Sequence, residues 1–136
     1  MKVLVDTNIL IDQVCSRELF VADANQLFLL GFQKVIKLYF CPISFVNTVY
    51  VGRKYGYTQE SLISSLKAIS AFSKFAEHKS SVILKALDCG WRDFEDANQY
   101  YSAQNSKIDC IVTRDKKGFE DSAITCYNIK DFLKLF

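Results

Sequence analysis

Four short apolar runs, at about 2–6, 37–41, 109–113 and 123–127, are separated by long stretches whose apolar residues recur at helical spacing. Strands joined through helices rather than tight turns pair in parallel, and helices then cover both faces of the sheet. The expected fold class is therefore α/β, a three-layer α/β/α arrangement around a central, mostly parallel sheet. Phe20, Ala24, Leu27 and Phe28 share one helical face and Leu62, Ile63, Leu66 and Ile69 another, both read as core stripes. Pro42-Ile43-Ser44 closes the second strand and opens a helix ending near Gly56. Further helices are expected over 81–87 and 97–105, with a short strand near Phe75-Ala76-Glu77.

Half of the 136 residues are hydrophobic, enough for one sizeable core, and a single domain over 1–136 is expected. Seventeen basic against fifteen acidic residues leave a charge of +2, so a polyanion would be held locally rather than drawn in by an overall field. The five cysteines are scattered without C-x-x-C spacing, and with His78 as the one histidine they make no zinc set. They are read as reduced, Cys41, Cys110 and Cys126 lying inside apolar runs. No stretch has the length of a membrane span or a signal-peptide core, and the expected location is cytoplasmic.

Acidic residues stand just past two of the apolar runs: Asp6 after Val3-Leu4-Val5, and Asp115 shortly after Cys110-Ile111-Val112. In open α/β sheets ligands collect outside the carboxyl ends of the strands, so these two aspartates can share one crevice. A third cluster, Asp93-Phe94-Glu95-Asp96, opens a helical run, with Asp93 and Asp96 on the same side of its first turn. Taken singly each acid has an ordinary reading, as a helix cap or a turn residue. Their common placement at strand ends and helix starts points instead to a metal site. Crowded carboxylates repel one another without a cation, and a divalent ion can activate water and neutralise charge on a phosphodiester under attack. His78 stands alone and is read as a surface residue, so no histidine-based nucleophilic route competes.

The ordered set of Val-Leu-Val-Asp6-Thr7-Asn8-Ile-Leu, Asp93-Phe-Glu-Asp96-Ala97 and Ile111-Val-Thr113-Arg114-Asp115-Lys-Lys-Gly-Phe119 resembles the PIN domain across essentially the whole chain. The resemblance implies a metal-dependent endoribonuclease with Asp6, Asp96 and Asp115 as catalytic acids binding Mg²⁺ or Mn²⁺. Asp93 is an additional acid within reach of the ion, and Thr7, Asn8, Asn47 and Thr113 are polar supports. The family's second acid is typically a Glu in the helix after the second strand, and the matching residue here is Asn47. Asn offers a carbonyl oxygen without charge, so either metal affinity falls or a neighbour such as Asp93 compensates. Coverage by a lone domain is similar to the VapC-type toxins of bacterial toxin–antitoxin pairs, which implies an RNA substrate, a small antitoxin partner and a homodimer. Arg53, Lys54, Arg114, Lys116 and Lys117 are nominated for phosphate contacts, against an ordinary role as solvated charges. The alternative is a degenerate, non-catalytic PIN fold that binds RNA or protein. A phosphotransferase of the haloacid-dehalogenase type ranks lower, since it needs an Asp two residues after the first and position 8 is Asn.

Overall fold

The computed structural model describes residues 1–136. Five strands, β1 (Lys2–Val5), β2 (Lys37–Phe40), β3 (Lys74–Phe75), β4 (Cys110–Thr113) and β5 (Thr125–Asn128), form one sheet in the order β3-β2-β1-β4-β5. Every neighbouring pair is parallel, with Val3 opposite Leu38 on one side and opposite Cys110 on the other. The sheet expected to be mostly parallel is wholly so. Because β1 lies at its centre and the chain leaves toward opposite edges through β2 and β4, the carboxyl ends of β1 and β4 flank a point where the winding reverses.

Helices α1 (Thr7–Val14), α2 (Val21–Phe32), α3 (Pro42–Lys54), α4 (Gln59–Ser70), α5 (Ser80–Asp88), α6 (Phe94–Asn105) and α7 (Ile129–Leu133) make the outer layers. Side chains alternate across the strands as the pleat requires. Val3, Val5, Leu38, Phe40, Cys110 and Val112 pack with Ile9, Leu27, Phe28, Leu66 and Phe132, drawn from α1, α2, α4 and α7. Leu4, Tyr39 and Ile111 face the other way, toward Tyr100 and Ala103 of α6. The first cluster holds 16 buried residues and the second 8, so the first face carries most of the apolar burial.

Local chemistry sets the helix ends. Gly56, with φ of +90°, follows the last turn of α3 in the left-handed conformation that glycine adopts without strain. Thr58 caps α4 by accepting the Ser61 N–H at 3.1 Å. Asp93 caps α6 by accepting the Asp96 N–H at 2.9 Å, so this helix starts at Phe94 rather than at residue 97. The third strand is Lys74–Phe75, a residue ahead of its expected place, and Ala76 is buried in the second core cluster. All five cysteines are free, and burial pushes the Cys110 thiol up to about 11. No helix is long and apolar enough to cross a membrane.

Candidate active site

Asp6 leaves β1 at its carboxyl end, its N–H donating to the Val112 carbonyl at 3.0 Å and so prolonging the β1–β4 pairing by one residue. Its side chain does not cap α1. One carboxylate oxygen accepts from Gln99 Nε2 at 3.0 Å and the other from the Thr113 hydroxyl at 2.7 Å. Gln99, a fully buried residue of α6, also accepts the Thr7 N–H through Oε1 at 3.1 Å, tying α6 to the β1–α1 turn. Asp6 is only 3% exposed, and burial raises its pKa against the lowering effect of the two side-chain bonds.

Thr113 connects this aspartate to the next acid. Its hydroxyl donates to Asp6 and accepts the Asp115 N–H at 3.0 Å. Asp115 in turn accepts the Lys117 N–H at 3.0 Å, capping a short 3₁₀ turn over Lys116–Phe119. Asp96 sits in the first turn of α6 between two clefts. One, of about 340 Å³, is lined by Asp6, Thr7, Asn8, Asn47, Tyr50, Asp93 and Glu95 among others. The other, of about 230 Å³, carries Asp93, Asp115, Lys117, Gly118 and Asp121. Partial burial, followed by the charges of Asp6, Asp93, Glu95 and Asp115, pushes the Asp96 carboxyl up to about 8. The approach of Asp96 to the 3₁₀ turn also explains Gly118, since a Cβ there would strike Asp96 Oδ2.

Asn47, on the half-buried side of α3, donates from Nδ2 to Glu95 Oε2 at 2.6 Å. The Glu95 pKa is raised by burial first and by Asp6 and Asp93 next. The Thr7 hydroxyl lies 2.6 Å from the Ser44 hydroxyl, and Thr48 donates to the Ser44 carbonyl at 2.7 Å. Among residues nominated from the sequence, Asp6, Asp93, Asp96, Thr7, Asn8 and Asn47 thus border one cleft, while Asp93, Asp96 and Asp115 border the other. Asn8 is exposed at the mouth. Glu95, Gln99 and Ser44 were not nominated; Glu95 reads in sequence as one more acid of a helix start, and the other two are neutral residues that only the tertiary fold brings to Asp6 and Thr7.

The donors are hard oxygen ligands carrying several negative charges, which suits a divalent cation in kind. Their side chains are not drawn into a cage: no three acidic, histidine or cysteine side chains are placed to surround one ion. Mutual repulsion and the turning of both Asp6 oxygens toward Gln99 and Thr113 account for this spread.

Of the nominated basic residues, Lys117 lines the smaller cleft, together with Arg92, which was not nominated. Arg114 does not face either acidic cleft. Its Nε lies 2.8 Å from Asp12 Oδ2, a charge contact without hydrogen-bond alignment, and its guanidinium covers the Phe20 ring at 3.8 Å. Arg53 and Lys54 border a separate groove of about 650 Å³ between α3 and α4, floored by Val46, Val49, Tyr50 and Ile63. Tyr50 lines both this groove and the acidic cleft. His78 is half-buried, with Nε2 2.9 Å from Asn98 Oδ1.

Residues 2–117 match a family model described as PIN domain. Among solved structures the chain is similar to VapBC2 from Rickettsia felis, bound to a DNA fragment from their promoter, at 17% identity and a TM-score of 0.67, covering 94% of this chain and 98% of that one. It is also similar to PAE2754 from Pyrobaculum aerophilum, at 16% identity and a TM-score of 0.64, covering 99% and 97%. At these identities the likeness is one of fold. No curated protein matches the chain.

Proposed function

Since this chain belongs to the PIN domain family, we propose that it is a metal-dependent endoribonuclease that hydrolyses RNA phosphodiester bonds, and the toxin of a type II toxin–antitoxin pair. The observation that carries this reading is that Asp6, Asp93, Glu95 and Asp96 line one cleft and Asp93, Asp96 and Asp115 the adjoining one, with Asp96 pushed up to about 8 by burial first and by the charges of the other acids next. Asp6, Asp96 and Asp115 would hold Mg²⁺ or Mn²⁺, with Asp93 beside them. When bound, such an ion supplies an activated water and neutralises charge on the scissile phosphate. The chain's own part is to orient the donors: Gln99 and Thr113 aim Asp6, Thr113 also anchors the backbone at Asp115, and Asp93 fixes the first turn of α6. Lys117, at the rim of the smaller cleft, is placed to meet a substrate phosphate.

The likeness to VapBC2 supports a small antitoxin as partner. Its docking segment would lie in the groove between α3 and α4 and pass Tyr50 to cover the acids. A homodimer working in the cytoplasm completes the proposal.

Purified protein is to be incubated with a panel of structured RNAs and Mn²⁺ or Mg²⁺, beside EDTA and Asp6→Asn controls. Cutting that both controls abolish is the expected result. Intact RNA together with no Mn²⁺ binding by calorimetry would overturn it and favour a non-cutting RNA- or protein-binding module, the reading that Asn47 in place of an acid supports.

A further inference from the structure

We infer that Glu95 is a cation-facing carboxylate of the site and that Asn47 is its positioning residue, so that the negative charge on the α3 side of the cleft is delivered from α6. The inference rests on the nuclease reading above. Glu95 is the second residue of α6, where an acid is favoured by the helix dipole and ordinarily points into solvent. Here it is half-buried and turned onto α3, with Asn47 Nδ2 donating to its Oε2 at 2.6 Å.

The donor is neutral. It fixes the orientation of the carboxylate without cancelling its charge, and no Lys or Arg forms an ion pair with it. The contrast with Asp12 is informative. That buried acid, 1% exposed, has Arg114 at 2.8 Å and Arg17 at 3.3 Å, the arrangement expected of a structural charge. Glu95 instead faces the cleft shared with Asp6, Asp93 and Asp96, three further acids without a basic partner there. Asp6 is buried and Glu95 and Asp96 half-buried, and a partly desolvated set of this kind is compensated by a divalent cation rather than by a side chain.

The contact also makes positions 47 and 95 interdependent. A Glu at 47 would set its carboxylate against that of Glu95, whereas an Asn presents an N–H to it. The charge at this point of the cleft is needed once, from either helix.

The test is calorimetric titration of the whole protein with Mn²⁺ alone, each variant being checked for a wild-type melting profile. Glu95→Gln, which keeps an amide oxygen for Asn47, is expected to weaken Mn²⁺ binding by about 10-fold or more, and Asn47→Ala by about 10-fold through loss of orientation. Asn47→Glu combined with Glu95→Gln is expected to recover most of that loss. Folded Glu95→Gln that binds Mn²⁺ as tightly as wild type, while Asp6→Asn does not, overturns the inference and leaves the nuclease reading standing. So does a double variant no better than Glu95→Gln. Wild-type protein that takes up no Mn²⁺ overturns both.

Discussion

Asp96 is raised by burial first and then by the charges of four neighbouring acids, and its titration has a consequence for stability. A group whose pKa climbs from 3.8 to about 8 on folding contributes fully to the folded state below the lower value, and that contribution is lost as pH rises through the higher one. Metal-free protein should therefore melt at progressively lower temperature between about pH 4 and pH 8, and Asp96→Asn should flatten the decline; parallel profiles for the two proteins would refute the assignment. Asp6, Asp93, Asp96 and Asp115 could be singled out in the sequence because each stands just past an apolar run or at a helix start. Glu95 was not. At position N2 it has the same sequence signature as an acid that merely suits the dipole, and its meeting with Asn47 depends on how closely α3 and α6 approach. Gln99 and Ser44 were hidden for a related reason, since a neutral residue gains a role only from the charged or hydroxylic neighbour it meets in the fold.

Among the elements, α1 and the segment following β4 are held together by Asp12 and Arg114. Arg114 looked from the sequence like a phosphate contact because it adjoins Asp115. In the fold its side chain packs on Phe20 and reaches back to α1, a direction that sequence adjacency does not specify. Removing Asp12 leaves the guanidinium stacked on Phe20 without its ion-pair partner. Asp12→Ala should cost about 3 kcal/mol, the low end for a broken buried pair because Arg114 keeps 24% exposure. Urea unfolding would check this, and a loss below about 1 kcal/mol, the scale of an exposed pair, would show that the contact is dispensable. The helices themselves were readable from their apolar stripes, with α5 found at Ser80–Asp88 against an expected 81–87. Boundaries were less so: α6 begins three residues early because Asp93 caps it, and β5 runs to Asn128 because that residue pairs with Thr113 before capping α7.

For the molecule as a whole, three apolar clusters of 16, 8 and 3 buried residues supply a core without an ion, and the protein is expected to fold metal-free. EDTA should leave the melting profile of metal-free protein unchanged. Saturating Mn²⁺ should raise it, by the equivalent of about 2.7 kcal/mol at a concentration 100 times the dissociation constant. The rise should be larger at pH 8 than at pH 5, where a proton on Asp96 competes with the ion; scanning calorimetry at the two pH values would show an equal rise if Asp96 plays no part. The α/β class followed from the alternation of strand and helix, but the order of the strands and the choice of helices for each face depended on packing among segments distant in sequence. One property of the sheet bears on how the protein can be handled. With every strand pointing the same way, the acids occupy one rim, and the turns at 33–36 and 106–109 enter β2 and β4 at the other. A reporter or affinity handle spliced into either turn would stand a full strand length from the carboxylates, leaving their approach unobstructed.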